Sequence, residues 1–138
     1  RIRPFLSIQA AQVLVQSLVI SRLDYCNSLL AGLPLNAIRP LQMIQNAAAR
    51  LVFNQPKFSH TTPLLRSLHW LPVAARIRFK TLMLVYKAKN GPAPSYLSKY
   101  NSRLFSVLAP RWWNELPLDV RTAESLIIFK RELKTYLF

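Results

Sequence analysis

The sequence predicts an all-α chain, an irregular helical bundle of about five to seven helices with no sheet. Three observations carry this. Apolar residues recur at helical spacing through several long runs; no run alternates with the period of two that a half-buried strand requires; and the ten prolines fall between the apolar runs rather than in one tract. With 138 residues, 51% of them hydrophobic, the chain has the apolar material for a modest core.

The first helix is expected from Ile8 to Leu30, with Gly32 in the left-handed conformation beyond its end and Pro34 barring continuation. It is apolar around most of its circumference, and the uncharged run between Arg3 and Arg22, about 18 residues, reaches the length of a membrane span. Gln9, Gln12 and Gln16 argue against a span, because their spacing puts three amides on one face, which lipid penalises and water does not. Cys26 falls inside this helix, where a thiol packs inertly.

A second helix, from near Ile38 to Phe53, is expected to bury Leu41, Ile44, Ala48 and Leu51 and to expose Arg39, Gln42, Asn46 and Arg50. Thr62 as N-cap and Pro63 as first helical residue open a short helix ending near His69, which reads as a core or boundary histidine. The longest clear helix runs from Val73 to Asn90 with Gly91 as its cap. Ala75, Phe79, Leu82 and Tyr86 form one apolar stripe on it, and Ile77, Leu84 and Ala88 a second. Two further elements follow: a short one from about Phe105 to Leu116, and one from about Ala123 to Leu137 with Leu126, Phe129, Leu133 and Leu137 on one face.

In "LAPRWWNELP", Trp112 and Trp113 point about 100° apart on a helix, so burying both requires a turn wedged between two neighbours, its length limited by Pro110 and Pro117. Trp112 and Trp113, with Phe79 and Tyr86, are the expected structural core.

Charge is the outlier. Nineteen Lys and Arg against five Asp and Glu give +14, and Asp24 is the only acid before Glu115, which points to a polyanionic partner. On the helix 73–90, Arg76, Lys80 and Lys87 fall at i, i+4 and i+11 along the strip between the two apolar stripes; with Lys89 and Arg111 they are the candidate phosphate contacts.

Catalytic chemistry has little to stand on. Two-metal nucleotidyl transfer needs converging carboxylates, and Asp24 is alone in the first hundred residues. Cys26, His60 and His69 match no metal-ligand spacing, and two glycines cannot build a phosphate-cradling loop. No catalytic residue, metal or cofactor is expected. The single cysteine excludes an intrachain disulfide and fits a reducing compartment.

Four blocks in order, "SRLDYCNSLLAGLP", "LQMIQNAAARLV", "LLRSLHWLPVAARIRFKTLMLVYKA" and "LAPRWWNELPLDVRTAESLIIFKRELKTYL", resemble the region downstream of the polymerase palm in reverse transcriptases of LINE-type, non-LTR retrotransposons of the jockey-like group. The resemblance covers nearly the whole chain. It implies a thumb-like helical region that holds template and primer beside a palm absent from this sequence. The magnesium-binding aspartates of such polymerases lie in that palm, and their endonuclease domain is absent too, so neither activity carries over. After Tyr100 the family's longer connection is missing.

The expectation is therefore a noncatalytic segment of a longer chain, as the first residue Arg1 and the uncapped end at Phe138 also suggest. Residues 1–90 would form a helical thumb-like region, 91–104 a linker, and 105–138 a helical segment packing back on the first. Its partners would be RNA or an RNA–DNA hybrid, through the phosphate backbone, and the palm of the parent polymerase; a membrane is not expected. Its place would be intracellular, in cytoplasm or nucleus. The alternative is a helical protein-interaction module that uses exposed apolar faces.

Overall fold

The computed structural model describes residues 5–91 and 103–138, with side chains from residue 107 in the second stretch. The chain is all-α, and no strand occurs among the described residues. It divides into two compact units, one of Arg1–Cys26 and Pro34–Ala74, the other of Asn27–Leu33 and Ala75–Phe138. Apart from its two ends, the expected linker 91–104 lies outside the described residues.

The first unit begins with α1 (Ile8–Val15), whose cap Ser7 accepts the Ala10 N–H at 3.1 Å. The helical backbone continues as a π turn over Gln16–Ile20 and then as α2 (Ser21–Asp24). Two serine hydroxyls accompany the change of winding: Ser17 Oγ donates to the Leu14 carbonyl at 3.0 Å and Ser21 Oγ to the Ser17 carbonyl. Such back-bonding competes with the ordinary backbone ladder, and the Ser21 N–H reaches back to the Gln16 carbonyl.

The helix expected to reach Leu30 stops at Asp24. Tyr25 is extended with ψ 118°, Cys26 is left-handed with φ 51°, and a separate 3₁₀ turn covers Asn27–Leu30. Cys26 is exposed rather than packed. No Gly or Pro marks this break; it frees Asn27 to bury at 2% exposure, a tertiary demand that helical periodicity does not encode. Gly32 is left-handed as expected, with φ 84°, but follows the short turn.

Helix α3 (Leu35–Val52) carries Pro40 in its second turn, where the missing N–H leaves the Asn36 carbonyl without its helical donor. Its buried face is Ile38, Gln45, Ala48, Ala49 and Val52, rotated from the expected stripe: Ile44 and Leu51 are about half exposed. The small Ala48 and Ala49 admit close approach, and α1 packs against α3. Helix α4 (Thr62–Ser67) has Thr61 at its N-cap position, one residue before the expected Thr62 and without a side-chain cap bond, with Pro63 in its first turn.

Helices α3 and α4 end the same way. Beyond α3, Asn54 is left-handed with φ 51°, its N–H bonded to the Leu51 carbonyl and that of Gln55 to Arg50; beyond α4, His69 takes φ 53°, with His69 N–H on Arg66 and Trp70 N–H on Leu65. Both are Schellman caps built without glycine. Leu65 and Trp70, at the two ends of the second cap's longer bond, share the core of this unit with Val15, Ile20, Ala48, Ala49, Val52 and Leu68. The cap holds His69 exposed, not in the core or boundary position expected of it.

Helix α5 (Val73–Asn90) contributes its first two residues to the first unit and the rest to the second. Gly91 is not left-handed; its N–H bonds the Lys87 carbonyl at 3.0 Å, and an added Cβ would meet that oxygen at 3.1 Å. The second unit also contains α6 (Arg103–Asn114), α7 (Leu118–Arg121) and α8 (Leu126–Leu137). Pro110 lies inside α6 instead of bounding it, exposed on the solvent side where a kink is tolerated. Ser125 caps α8, accepting from the Ile128 N–H at 3.3 Å.

The core of the second unit is aromatic at its centre. Phe129, fully buried, stacks on Tyr86 at 4.3 Å and on Trp113 at 5.8 Å, with Leu82, Met83, Leu116, Val120 and Leu133 around them. The Tyr86 hydroxyl donates to the Ala123 carbonyl at 2.8 Å, which satisfies its one polar atom. Trp113 is thus core, whereas Trp112 and Phe79 are half-buried at its edge.

Candidate nucleic-acid interface

All five sequence candidates belong to the second unit. Helix α5 holds three of them in one strip, since i, i+4 and i+11 on a helix fall within about 40° of each other and span about 16 Å along the axis. Lys80 and Lys87 are exposed; Arg76 is half-buried and already engaged in an interaction. The strip lacks acids of its own, because α5 contains no Asp or Glu.

Lys89 and Arg111 sit differently. Lys89 lies about 200° around the helix from Lys87, and its ammonium stands 4.8 Å from the Trp113 ring centroid, a cation–π contact. Arg111 Nε donates to Glu115 Oε1 at 3.2 Å, four residues on and just past the end of α6. Both remain exposed, but each has a partner within the protein.

Arg78, which the periodic reading passed over, meets a carboxylate and two aromatic rings. Its Nη2 donates to Glu115 Oε2 at 2.7 Å, and its guanidinium carbon lies 5.8 Å from the Trp112 ring and 5.9 Å from the Tyr136 ring. The signal available beforehand was its place two residues from Arg76, off the basic strip and toward the aromatic stripe. What it would meet there depends on residues 34 to 58 positions further along, which helical spacing within α5 cannot reveal.

In the first unit an open, apolar groove of about 450 Å³ is lined by Leu35, Asn36, Ile38, Arg39, Gln42 and Ala74. Of the polar residues that line it, Gln42 is already committed to Val73, Gln45 and Asn46. Among the described residues no three His, Cys, Asp or Glu side chains lie together, so these residues offer no donor set for a metal. No helix among them is long and apolar enough to cross a membrane. Comparison with family models, curated proteins and solved structures found no match to this chain.

Proposed function

We propose that this chain is a noncatalytic, thumb-like segment of a retrotransposon reverse transcriptase that contacts the phosphate backbone of RNA or an RNA–DNA hybrid without reading sequence. The observation that carries the reading is the α5 strip: exposed Lys80 and Lys87, with Arg76 behind them, on one rigid helix in a chain of net charge +14. A helix that presents several cations along one side suits a backbone whose charges repeat along the strand. The ordered resemblance of four sequence blocks to the post-palm region of such polymerases supports the same reading.

Fluorescence anisotropy of a labelled RNA–DNA hybrid, titrated with the purified chain across a salt series, tests it. Affinity should fall steeply with salt while the chain remains a helical monomer by circular dichroism and sedimentation. Absence of binding at low salt would sink the proposal.

A second reading, a protein-interaction module, is favoured by one observation. Ile8, Val13, Leu14 and Leu18 on the first helical stretch are each between 44% and 68% exposed, an unusual density of large apolar side chains in water. Self-association that persists at high salt, without binding to the hybrid, would favour this reading over the first.

A further inference from the structure

Two guanidinium groups in the second unit converge on one carboxylate. Arg78 holds Glu115 Oε2 at 2.7 Å and Arg111 holds Oε1 at 3.2 Å, so each oxygen is taken by a different arginine. A carboxylate bridged in this way presents the acceptors that a phosphate would present in the same place.

The two arginines are anchored unequally. Arg78 is the more enclosed: Trp112 and Tyr136 flank its guanidinium, and its Nε is shielded from solvent, with no hydrogen-bond partner among the described residues. Arg111 and Glu115 are not fixed, with side chains 73% and 42% exposed. Glu115 can therefore swing into water, and Arg111 can follow an incoming ligand, without opening the core. The closed cluster also keeps one uncompensated positive charge, which a free phosphate of about −1.5 to −2 would neutralise more fully than a carboxylate, whereas a backbone phosphodiester, with a single charge, would match the carboxylate it displaces.

We infer that Arg78 and Arg111 form a phosphate site whose internal occupant is Glu115, and that displacing Glu115 admits a phosphate-bearing ligand. The inference stands on the geometry of this cluster and does not need the α5 strip to bind nucleic acid. A backbone phosphate and a free phosphate share the required chemistry.

The test follows the arginine Nε–Hε resonances of the ¹⁵N-labelled full chain while inorganic phosphate is added. The Arg78 Nε–H, sheltered from solvent, serves as the reporter. Glu115→Gln should give saturable shifts at both Arg78 and Arg111, at a phosphate concentration roughly ten-fold or more below that needed by the unmodified chain. Adding Arg111→Gln should abolish saturation. If Glu115→Gln lowers the helical circular dichroism signal, Glu115→Asp, which keeps the charge but withdraws it by one methylene, should open the site in part. Repeating the titration with an RNA–DNA hybrid separates the sources: shifts at the same two arginines identify a backbone phosphate, and shifts with inorganic phosphate alone identify a small-anion site. Saturation that is the same with and without Glu115, or shifts in Glu115→Gln that rise linearly without saturating, would overturn the inference.

Discussion

The side-chain carbonyl of Gln42 accepts the backbone N–H of Val73 at 2.8 Å, across 31 residues, and so caps α5 from another helix. Pro72 precedes that N–H and offers no capping side chain, which leaves Gln42 to do the work of an N-cap. The Gln42 amide nitrogen in turn donates to Gln45 and Asn46, and Gln45, fully buried, donates to the Leu71 carbonyl at 2.8 Å. Gln45→Leu would remove the buried amide's hydrogen bonds to the Leu71 carbonyl and from Gln42 and should cost about 1–3 kcal/mol, with Gln42→Ala costing about 1 kcal/mol. Because the two amides share one network, the double mutant should lose less than the sum. Urea denaturation of the three variants measures both effects.

His69 is held at φ 53° in a position where most helices place glycine. A non-glycine residue in this region carries about 1–2 kcal/mol of steric cost, while glycine adds about 0.5–1 kcal/mol of unfolded-state entropy. His69→Gly should therefore be stabilising by about 0.5 kcal/mol, and His69→Val, with its branched Cβ, destabilising by more than about 1 kcal/mol. Asn54→Gly should gain less, since asparagine tolerates the conformation better. Thermal melts of the three variants give the order.

Phe129 has no solvent exposure and contacts two aromatic rings, so Phe129→Ala should remove about 3–5 kcal/mol, a large part of what a domain of this size has to lose. Ile127, two residues away on the same helix and 80% exposed, should tolerate Ala within about 0.5 kcal/mol. Tyr86→Phe isolates the hydrogen bond to the Ala123 carbonyl and should cost about 1 kcal/mol. Chemical denaturation resolves all three, and equal losses at residues 127 and 129 would refute the assignment of this core.

The helices 73–90 and 126–137 were legible because apolar spacing marks one buried face on each, and Phe129, Leu133 and Tyr86 lie in the core that periodicity assigned to them, with Trp113 there as its bulk implied; Pro40 and Pro110, inside α3 and α6, and the unexpected turn α7 show where local signals stop. Where periodicity misled, a non-local demand had won. Gln45 reads as polar, yet the Leu71 carbonyl 26 residues away gives it a reason to be buried, and burying it turns α3 so that Ile44 and Leu51 face solvent. The break at Tyr25 and Cys26 has no breaker residue to announce it. Among the cations, helical spacing identified the α5 strip and could have shown the i,i+4 pair of Arg111 and Glu115, but the pairing of Lys89 with Trp113 and of Arg78 with Glu115 rests on tertiary placement.

That distinction between exposed and paired cations separates two sets of variants. Lys80 and Lys87 are exposed, so replacing either with Ala should leave the melting temperature within about 2 °C and, if the strip contacts phosphates, reduce the slope of log affinity against log salt by about one each. Lys89 covers the Trp113 ring at 4.8 Å, and Lys89→Ala should instead cost about 0.5–1 kcal/mol of stability with little change in slope. Arg111→Ala should likewise leave the slope nearly unchanged while Glu115 is present, because that arginine's charge is already answered within the protein. Anisotropy with an RNA–DNA hybrid at four or five salt concentrations, paired with a melt of each variant, reads both quantities from the same preparations. Were Lys89→Ala to lower the slope as much as Lys80→Ala without shifting the melt, the phosphate contacts would have to be placed on the α6 side of α5 instead of along its outer strip.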